Sequence, residues 1–370
     1  MSSRMKRAAP VVWVAAIMAI PTVACAQNTV VEPADGVIVE SADMMPRNGI
    51  GRVPGVFVGH ETLSGRPTGC TAVLTPAGAV AGVDIRGGAP GTRGTDLLDP
   101  ASLVQEIHAV VLSGGSAFGL ETADGVIRYL EEQGVGLAFG GSTIPVVAAA
   151  ILFDLSVGDG RIRPGFDCGY NAAERAMSAR GPVPEGNVGA GAGATVGKLR
   201  GMEQAMKGGI GTASIRLSNG LVVAAIVAVN AVGDVVDPAT GQVIAGVRSE
   251  RGDSLADVRS ILREGIPPAP MPGSNTVIGV VATNADLTQA EATRVARMSH
   301  AGLARTVSPT HTPLDGDTMF VLATGELEAD VSLLTIGALA ADVVAEAILR
   351  GVRAAEGLDG LPSASDLAGR

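Results

Sequence analysis

The longest apolar runs of the body of this chain, Leu221 to Val229 and Val277 to Thr283, are the length of strands. A membrane span needs ~20 apolar residues, so the hydrophobic mass has to be buried inside a soluble globular fold. That mass is 46 % of 370 residues, yet aromatics are only 2 % and glycines number 51. Small side chains let backbones approach closely, which suits strands packed on helices with many tight turns. Charged residues at 17 % are too few for a disordered chain or a coiled coil. The net charge of −10 leaves no basic surplus for a phosphate backbone, and so few aromatics offer no base-stacking platform, which excludes nucleic-acid partners. The length allows one large domain or two ordinary ones.

The N-terminus differs from the rest. Arg4, Lys6 and Arg7 precede the apolar stretch from Ala8 to Ile20, and Ala24-Cys25-Ala26 forms a small-x-small site. This is the layout of a secretory signal peptide over residues 1–26, cut after Ala26, and it predicts export to the periplasm with no membrane span afterwards. A lipoprotein anchored at Cys25 is the lesser alternative, because Thr22 stands where an apolar residue is usual. Beyond the leader only Cys70 and Cys168 remain. In an oxidising compartment they form either one bridge or two buried thiols, and spacing leaves both open. Neither belongs to a CxxC pair, and His60, His108, His300 and His311 show no ligand spacing, so no metal is expected.

Along the chain, β-like runs such as Thr71 to Leu74 and Ala109 to Leu112 alternate with Gly, Pro and Asp turns. Leu120, Ala123, Val126, Ile127 and Leu130 share one helical face, with Gly134 as the stop. Further helices are predicted over Tyr170 to Ala179, 288–304 and 333–350, and further strands at Leu221 to Val229, Thr276 to Thr283 and Met319 to Ala323. Residues 264–275 form a Pro-rich linker, the sharpest composition break in the chain. This order of elements predicts a layered α+β sandwich, and no internal repeat is evident.

Several signatures fail. Counting back from Gly197-Lys198, Ala192 stands where a P-loop needs its first Gly, and Leu199 follows the lysine. Phe118 occupies the last Gly position of a nucleophile elbow around Ser116. Arg251-Gly252-Asp253 reads as a solvated loop.

The Asn275-Thr276 junction carries more. It places a hydroxyl at the first residue of an apolar strand, directly after the Pro-rich segment. Were the chain cut there, Thr276 would gain an α-amine of pKa ~8 beside its own hydroxyl, a base for a nucleophile within one residue. On spacing alone the ordinary interpretation, a threonine that opens a strand, prevails. The turn Asp315-Gly316-Asp317 offers two carboxylates able to orient an ammonium and a hydroxyl or share a proton, although a bare D-G-D is more often a solvent-exposed turn. Asn230 ends an apolar strand and offers an amide donor to an oxyanion; Lys198 follows a Gly-rich stretch and offers a positive charge.

Taken together, ordered blocks resemble the S58 (DmpA-type) peptidase family, whose architecture and chemistry are similar to those of the N-terminal-nucleophile hydrolases. They are Val83-Asp84-Ile85-Arg86-Gly87-Gly88-Ala89-Pro90-Gly91, Ser113-Gly114-Gly115-Ser116-Ala117-Phe118-Gly119-Leu120, and the Gly-rich segment Gly186 to Ala194. Val196-Gly197-Lys198, Val229-Asn230, Asn275-Thr276 and His311-Thr312-Pro313-Leu314-Asp315-Gly316-Asp317-Thr318 complete the set, which spans roughly residues 50 to 350.

The resemblance implies a four-layer αββα sandwich in one hydrolase domain, with no cofactor, assembled as a homo-oligomer. It implies self-cleavage between Asn275 and Thr276 into an α fragment (27–275) and a β fragment (276–370). Thr276 takes the nucleophile's role, where the aminopeptidase branch uses serine; the Asn-Thr junction and the D-G-D turn look closer to the branch of the endo-type nylon-oligomer (6-aminohexanoate) hydrolases. Asn230 then matches the oxyanion-stabilising asparagine, Lys198 the catalytic and processing lysine, and Asp315 with Asp317 the carboxylates beside the nucleophile, Asp317 orienting the Thr276 hydroxyl. Phe153 stands where those enzymes carry a tyrosine, and with Ser116 it is the expected substrate contact. The expected substrate is a short peptide or amide oligomer. The alternatives are an exo-acting aminopeptidase or D-amino-acid esterase, and a non-catalytic periplasmic binding protein on the same scaffold, which would stay uncut.

Overall fold

A computed structural model describes residues 37–38, 48–265 and 275–368. The leader 1–26, with Cys25, and nearly all of the Pro-rich linker lie outside the described residues.

Eight strands and four helices carry the architecture: β1 (Phe57–Thr62), β2 (Gly69–Ile85), β3 (Glu106–Ser113), α1 (Thr122–Glu132), β4 (Val147–Ile151), α2 (Phe166–Ser178), β5 (Gly209–Leu217), β6 (Val222–Asn230), β7 (Thr276–Thr283), α3 (Gln289–Thr306), β8 (Thr318–Ala323) and α4 (Leu333–Arg353). The strands are hydrogen-bonded in the order β5-β6-β7-β8-β2-β3-β4, with β1 also on β2. β7 pairs antiparallel with β6 and parallel with β8, whereas β8 runs antiparallel to β2. The 17-residue β2 belongs to two sheets. Its first part pairs with β1 and β3, its last part with β8, and the register shifts between Leu74 and Ala79 where it turns from one sheet to the other.

Period-two alternation then sorts the side chains into layers. Along β6, Val223, Ala225, Val227 and Val229 face outward onto Val295 and Leu303 of α3 and Val344 and Ile348 of α4. The alternate residues Val222, Ala224, Ile226 and Ala228 face inward and share a core with Val110 and Leu112 of β3 and Ala148 and Ala150 of β4. On the far side Cys70, Ala72, Leu74, Ala109 and Val111 pack on Val126 and Leu130 of α1 and Ala172 and Ala176 of α2. The layers are α3/α4, sheet, sheet, α1/α2: the expected αββα sandwich. A strand covered on both faces has no polar positions to spare, and all nine residues of β6 and all eight of β7 are buried.

Cys70 on β2 and Cys168 on α2 are joined as a disulfide, their Cα atoms 6.2 Å apart, which closes the alternative of two free thiols. Among the described residues no helix is long and apolar enough to cross a membrane.

Candidate active site

β6 ends and β7 begins side by side, so the sheet register itself places Asn230 opposite Thr276. Asn275, just before β7, is itself fully buried and forms a parallel bridge to Asp315 of the turn leading into β8. The Gly316 N–H donates to the Asn275 carbonyl (3.0 Å), and the Thr276 hydroxyl donates to the same oxygen. Gly316 is obligatory here, because a Cβ on it would lie 2.9 Å from Thr276 Oγ1 and 2.6 Å from the Ala89 carbonyl oxygen. The block 83–91 backs this turn: Arg86 N–H donates to Asp317 O (2.9 Å), Gly88 N–H to Thr312 O (3.2 Å) and Ala89 N–H to Asp315 O (2.8 Å).

The two carboxylates divide their work. Asp317 Oδ1 accepts from the Val277 N–H (2.9 Å), while Oδ2 accepts from Thr310 Oγ1 (3.1 Å) and from the backbone N–H and ring Nδ1 of His311 (3.0 Å each). Asp317 therefore reaches Thr276 through the backbone of the next residue. Asp315 accepts from the Thr312 N–H (2.9 Å) and hydroxyl. Burial and then the neighbouring Asp317 raise the Asp315 pKa to about 6, with the Lys198 charge acting the other way.

Lys198 enters from the opposite side. The left-handed Gly197 (φ 70°) turns the chain so that Lys198 begins a short 3-10 turn, and its Nζ donates to Asn230 O (3.0 Å) and Oδ1 (2.8 Å). Its side chain is buried, and desolvation lowers its pKa to about 7 against the opposing pull of Asp315 and then Asp154. Asn230 Oδ1 also accepts from the Thr195 N–H (3.0 Å), and Asn230 Nδ2 donates to the Phe153 carbonyl (3.1 Å). Phe153 thus meets the site through its backbone. Ser116, at φ 55°, donates its N–H to Leu152 O (3.0 Å) and so stands beside Phe153 at the end of β4.

Thr276, Asn275, Asn230, Lys198, Asp315 and Asp317 converge, with Phe153 and Ser116 at one margin. Three contributors were not anticipated. Gly316 acts through its amide, which no side-chain pattern reveals. Asp154 forms a buried ion pair with Arg66 and accepts from Thr68 Oγ1 (2.6 Å) and the Gly115 N–H (2.9 Å). Both glycine-rich blocks close on it: a Cβ at Gly114 or Gly193 would lie 2.2 or 2.6 Å from its carboxylate. His311 had no spacing to mark it. Among the described residues no group of His, Cys, Asp and Glu is placed to hold a metal ion.

The sequence profile described as peptidase family S58 matches residues 48–364. The chain belongs to peptidase family S58. It is similar to an uncharacterized aminopeptidase of Mycobacterium leprae, 44 % identical over 351 residues that cover 86 % of this chain and 93 % of that protein. It is also similar to a 6-aminohexanoate-oligomer endohydrolase of Kocuria sp., 31 % identical over 331 residues, 84 % of this chain and 89 % of that one. Among solved structures it resembles the L-aminopeptidase D-Ala-esterase/amidase of Ochrobactrum anthropi, described as a variant of the Ntn hydrolase fold. That match has a TM-score of 0.61 at 22 % identity, covering 86 % of this chain and 90 % of the other. At that identity the likeness shows the fold, and family membership makes this S58 chain a hydrolase.

Proposed function

We propose that this protein is a self-processing amide hydrolase whose nucleophile is Thr276, released as a new N-terminus by cleavage of the Asn275–Thr276 bond. The observation that carries this is the Thr276 hydroxyl lying against the Asn275 carbonyl while the Gly316 N–H polarises that carbonyl from 3.0 Å. Lys198, held near neutrality by burial, takes the hydroxyl proton as Oγ attacks the Asn275 carbonyl carbon. The proton passes to the Thr276 nitrogen, the C–N bond breaks, and an ester joins Asn275 to Oγ. Water hydrolyses that ester, leaving the Asn275 carboxylate and a Thr276 with free amine and hydroxyl.

In turnover the new amine replaces Lys198 as the base on Oγ. An acyl-enzyme forms and is hydrolysed, with the Gly316 amide and Asn230 as oxyanion donors. Asp317 fixes Val277, and so the nucleophile, in place. The substrate class is a short peptide or amide oligomer, supported by the Kocuria relative's name. Exo action on a free amino terminus is the second reading, supported by the 44 % identical relative being named an aminopeptidase. Export to the periplasm belongs to the same proposal, and the Cys70–Cys168 disulfide supports it, since such bonds persist in oxidising compartments.

Intact mass of the denatured protein tests the reading. The expected result is two species, the smaller about 9.5 kDa by its share of the 37.0 kDa chain and beginning Thr276-Val277-Ile278-Gly279. Thr276→Ala should leave one uncut chain without amidase activity; a variant that still cleaves at this bond would sink the mechanism. Assay of 6-aminohexanoate oligomers with free and acylated amino ends then separates exo from endo action, because only an endo enzyme accepts the acylated form.

A further inference from the structure

Two histidines that the catalytic scheme leaves unused lie directly behind it. His311 presents both its backbone N–H and its ring Nδ1 to one oxygen of Asp317, at 3.0 Å each. A ring nitrogen at that distance from a carboxylate carries a hydrogen, so Nδ1 is the donor, while Nε2 is buried and without a hydrogen-bond partner. The ring is held from behind by His300 of α3, edge to face at 4.8 Å between centroids. His300 is anchored in turn by Nε2 on the Asp84 carbonyl at 3.0 Å, and burial keeps it neutral, with a pKa of about 4. Asp84 is tied outward to Arg86 (2.6 Å) and Arg297 (3.5 Å). The backbone of His311 is in the left-handed region, φ 55°, which a non-glycine residue occupies only under strain. The surroundings hold a strained residue in place, and what it holds is Asp317.

The geometry points to His311 as a positioning residue for Thr276: its ring N–H fixes the outer oxygen of Asp317, so that the inner oxygen holds the Val277 N–H and thereby the attacking hydroxyl. The inference rests on the self-cleavage proposed above. Asp317 has one oxygen on β7 and the other on residues 310 and 311. Remove the ring donor and the outer oxygen keeps only the His311 backbone N–H and the Thr310 hydroxyl, so the carboxylate is held less firmly. Val277 and the attacking hydroxyl can then drift from the attack line, and small misplacements of that kind cost up to ~100-fold in rate.

The test follows self-cleavage of freshly refolded precursor by intact mass, a unimolecular step in which substrate affinity plays no part. Wild type is measured first: if it does not cut, the parent reading fails and His311 is not the cause. Given a cutting wild type, His311→Ala should slow the cut about 10- to 100-fold. His311→Asn supplies a side-chain N–H near the same place and tolerates a left-handed backbone, so it should recover most of the rate. His311→Gly relieves the backbone but offers no donor, and should stay as slow as His311→Ala with a thermal midpoint at or above that variant's. Wild-type rate in His311→Ala, or recovery by Gly equal to that by Asn, overturns the inference, the second by showing that the backbone alone mattered.

Discussion

Lys198 and Asp315 both titrate away from their ordinary values, chiefly because burial disfavours the charged form of either. The consequences have opposite signs. Lys198 keeps its proton in the unfolded chain up to about 10.5 but in the fold only to about 7, so its contribution to stability improves as pH rises between those values. Asp315 holds a proton in the fold up to about 6 against 3.8 unfolded, so its contribution weakens as pH rises through that window. For chemistry the lysine matters more, since only its neutral form accepts a proton. The self-cleavage rate should therefore climb about tenfold per pH unit below about 7 and level off above it. Asp315→Asn removes the negative charge that most supports the ammonium, which should move that limb to lower pH. A limb unmoved in a rapid-mixing pH series would show that the two groups are not coupled.

At the scale of elements, the Gly-rich segment Gly186 to Ala194 is held by a side chain that no motif announces. Lys207 is among the largest fully buried side chains, and its Nζ donates to Gly191 O (2.9 Å), Ala194 O (3.0 Å) and Gly208 O (3.0 Å). Three carbonyls match three ammonium hydrogens, which favours the charged form although burial draws its pKa down to about 7. Lys207→Met fills similar space but strands three acceptors at about 1–3 kcal/mol each. Thermal unfolding should drop by many degrees, and an unchanged midpoint would show that water replaces the amine. The same contrast separates what was legible from what was not. Helices α3 and α4 were readable to within three residues because their apolar period is long and a capping box, Thr288 with Glu291, marks the start of α3. β2 was not, because Thr75-Pro76-Ala77-Gly78 reads as a turn, whereas the fold spends it on the bend that carries one strand between two sheets. Thr276, Asn230, Lys198 and the two aspartates were legible only as an ordered set matching a family. Gly316, Asp154 and His311 act through backbone groups or through contacts 40 to nearly 90 residues apart and in a turn, and such roles leave no local pattern.

The proposed cut would divide the whole molecule in an unusual place, at the head of a central strand. β7 lies between β6, which stays with the α fragment, and β8, which goes with it into the 95-residue β fragment, and β8 in turn pairs with β2 of the other fragment. With β7 fully buried, neither fragment can leave without breaking three strand pairings, the third between Asp234–Val236 and Val307–Ser308, and opening the cores on both faces of that sheet. The disulfide plays no part in holding them, because Cys70 and Cys168 both belong to the α fragment. Its work is local: it closes a loop of 98 residues and ties β2 to α2, a constraint worth about 2–5 kcal/mol. Two outcomes follow from a cut that lies outside the disulfide loop. Denaturing gels should show the same two bands with and without reductant, since reduction frees nothing that the cut has not already freed. Cys168→Ser should lower the unfolding midpoint while leaving both bands, and the rate at which they appear, unchanged. A single band that splits only on reduction would place the break between Cys70 and Cys168 instead, and Thr276 would revert to an ordinary residue opening a buried strand.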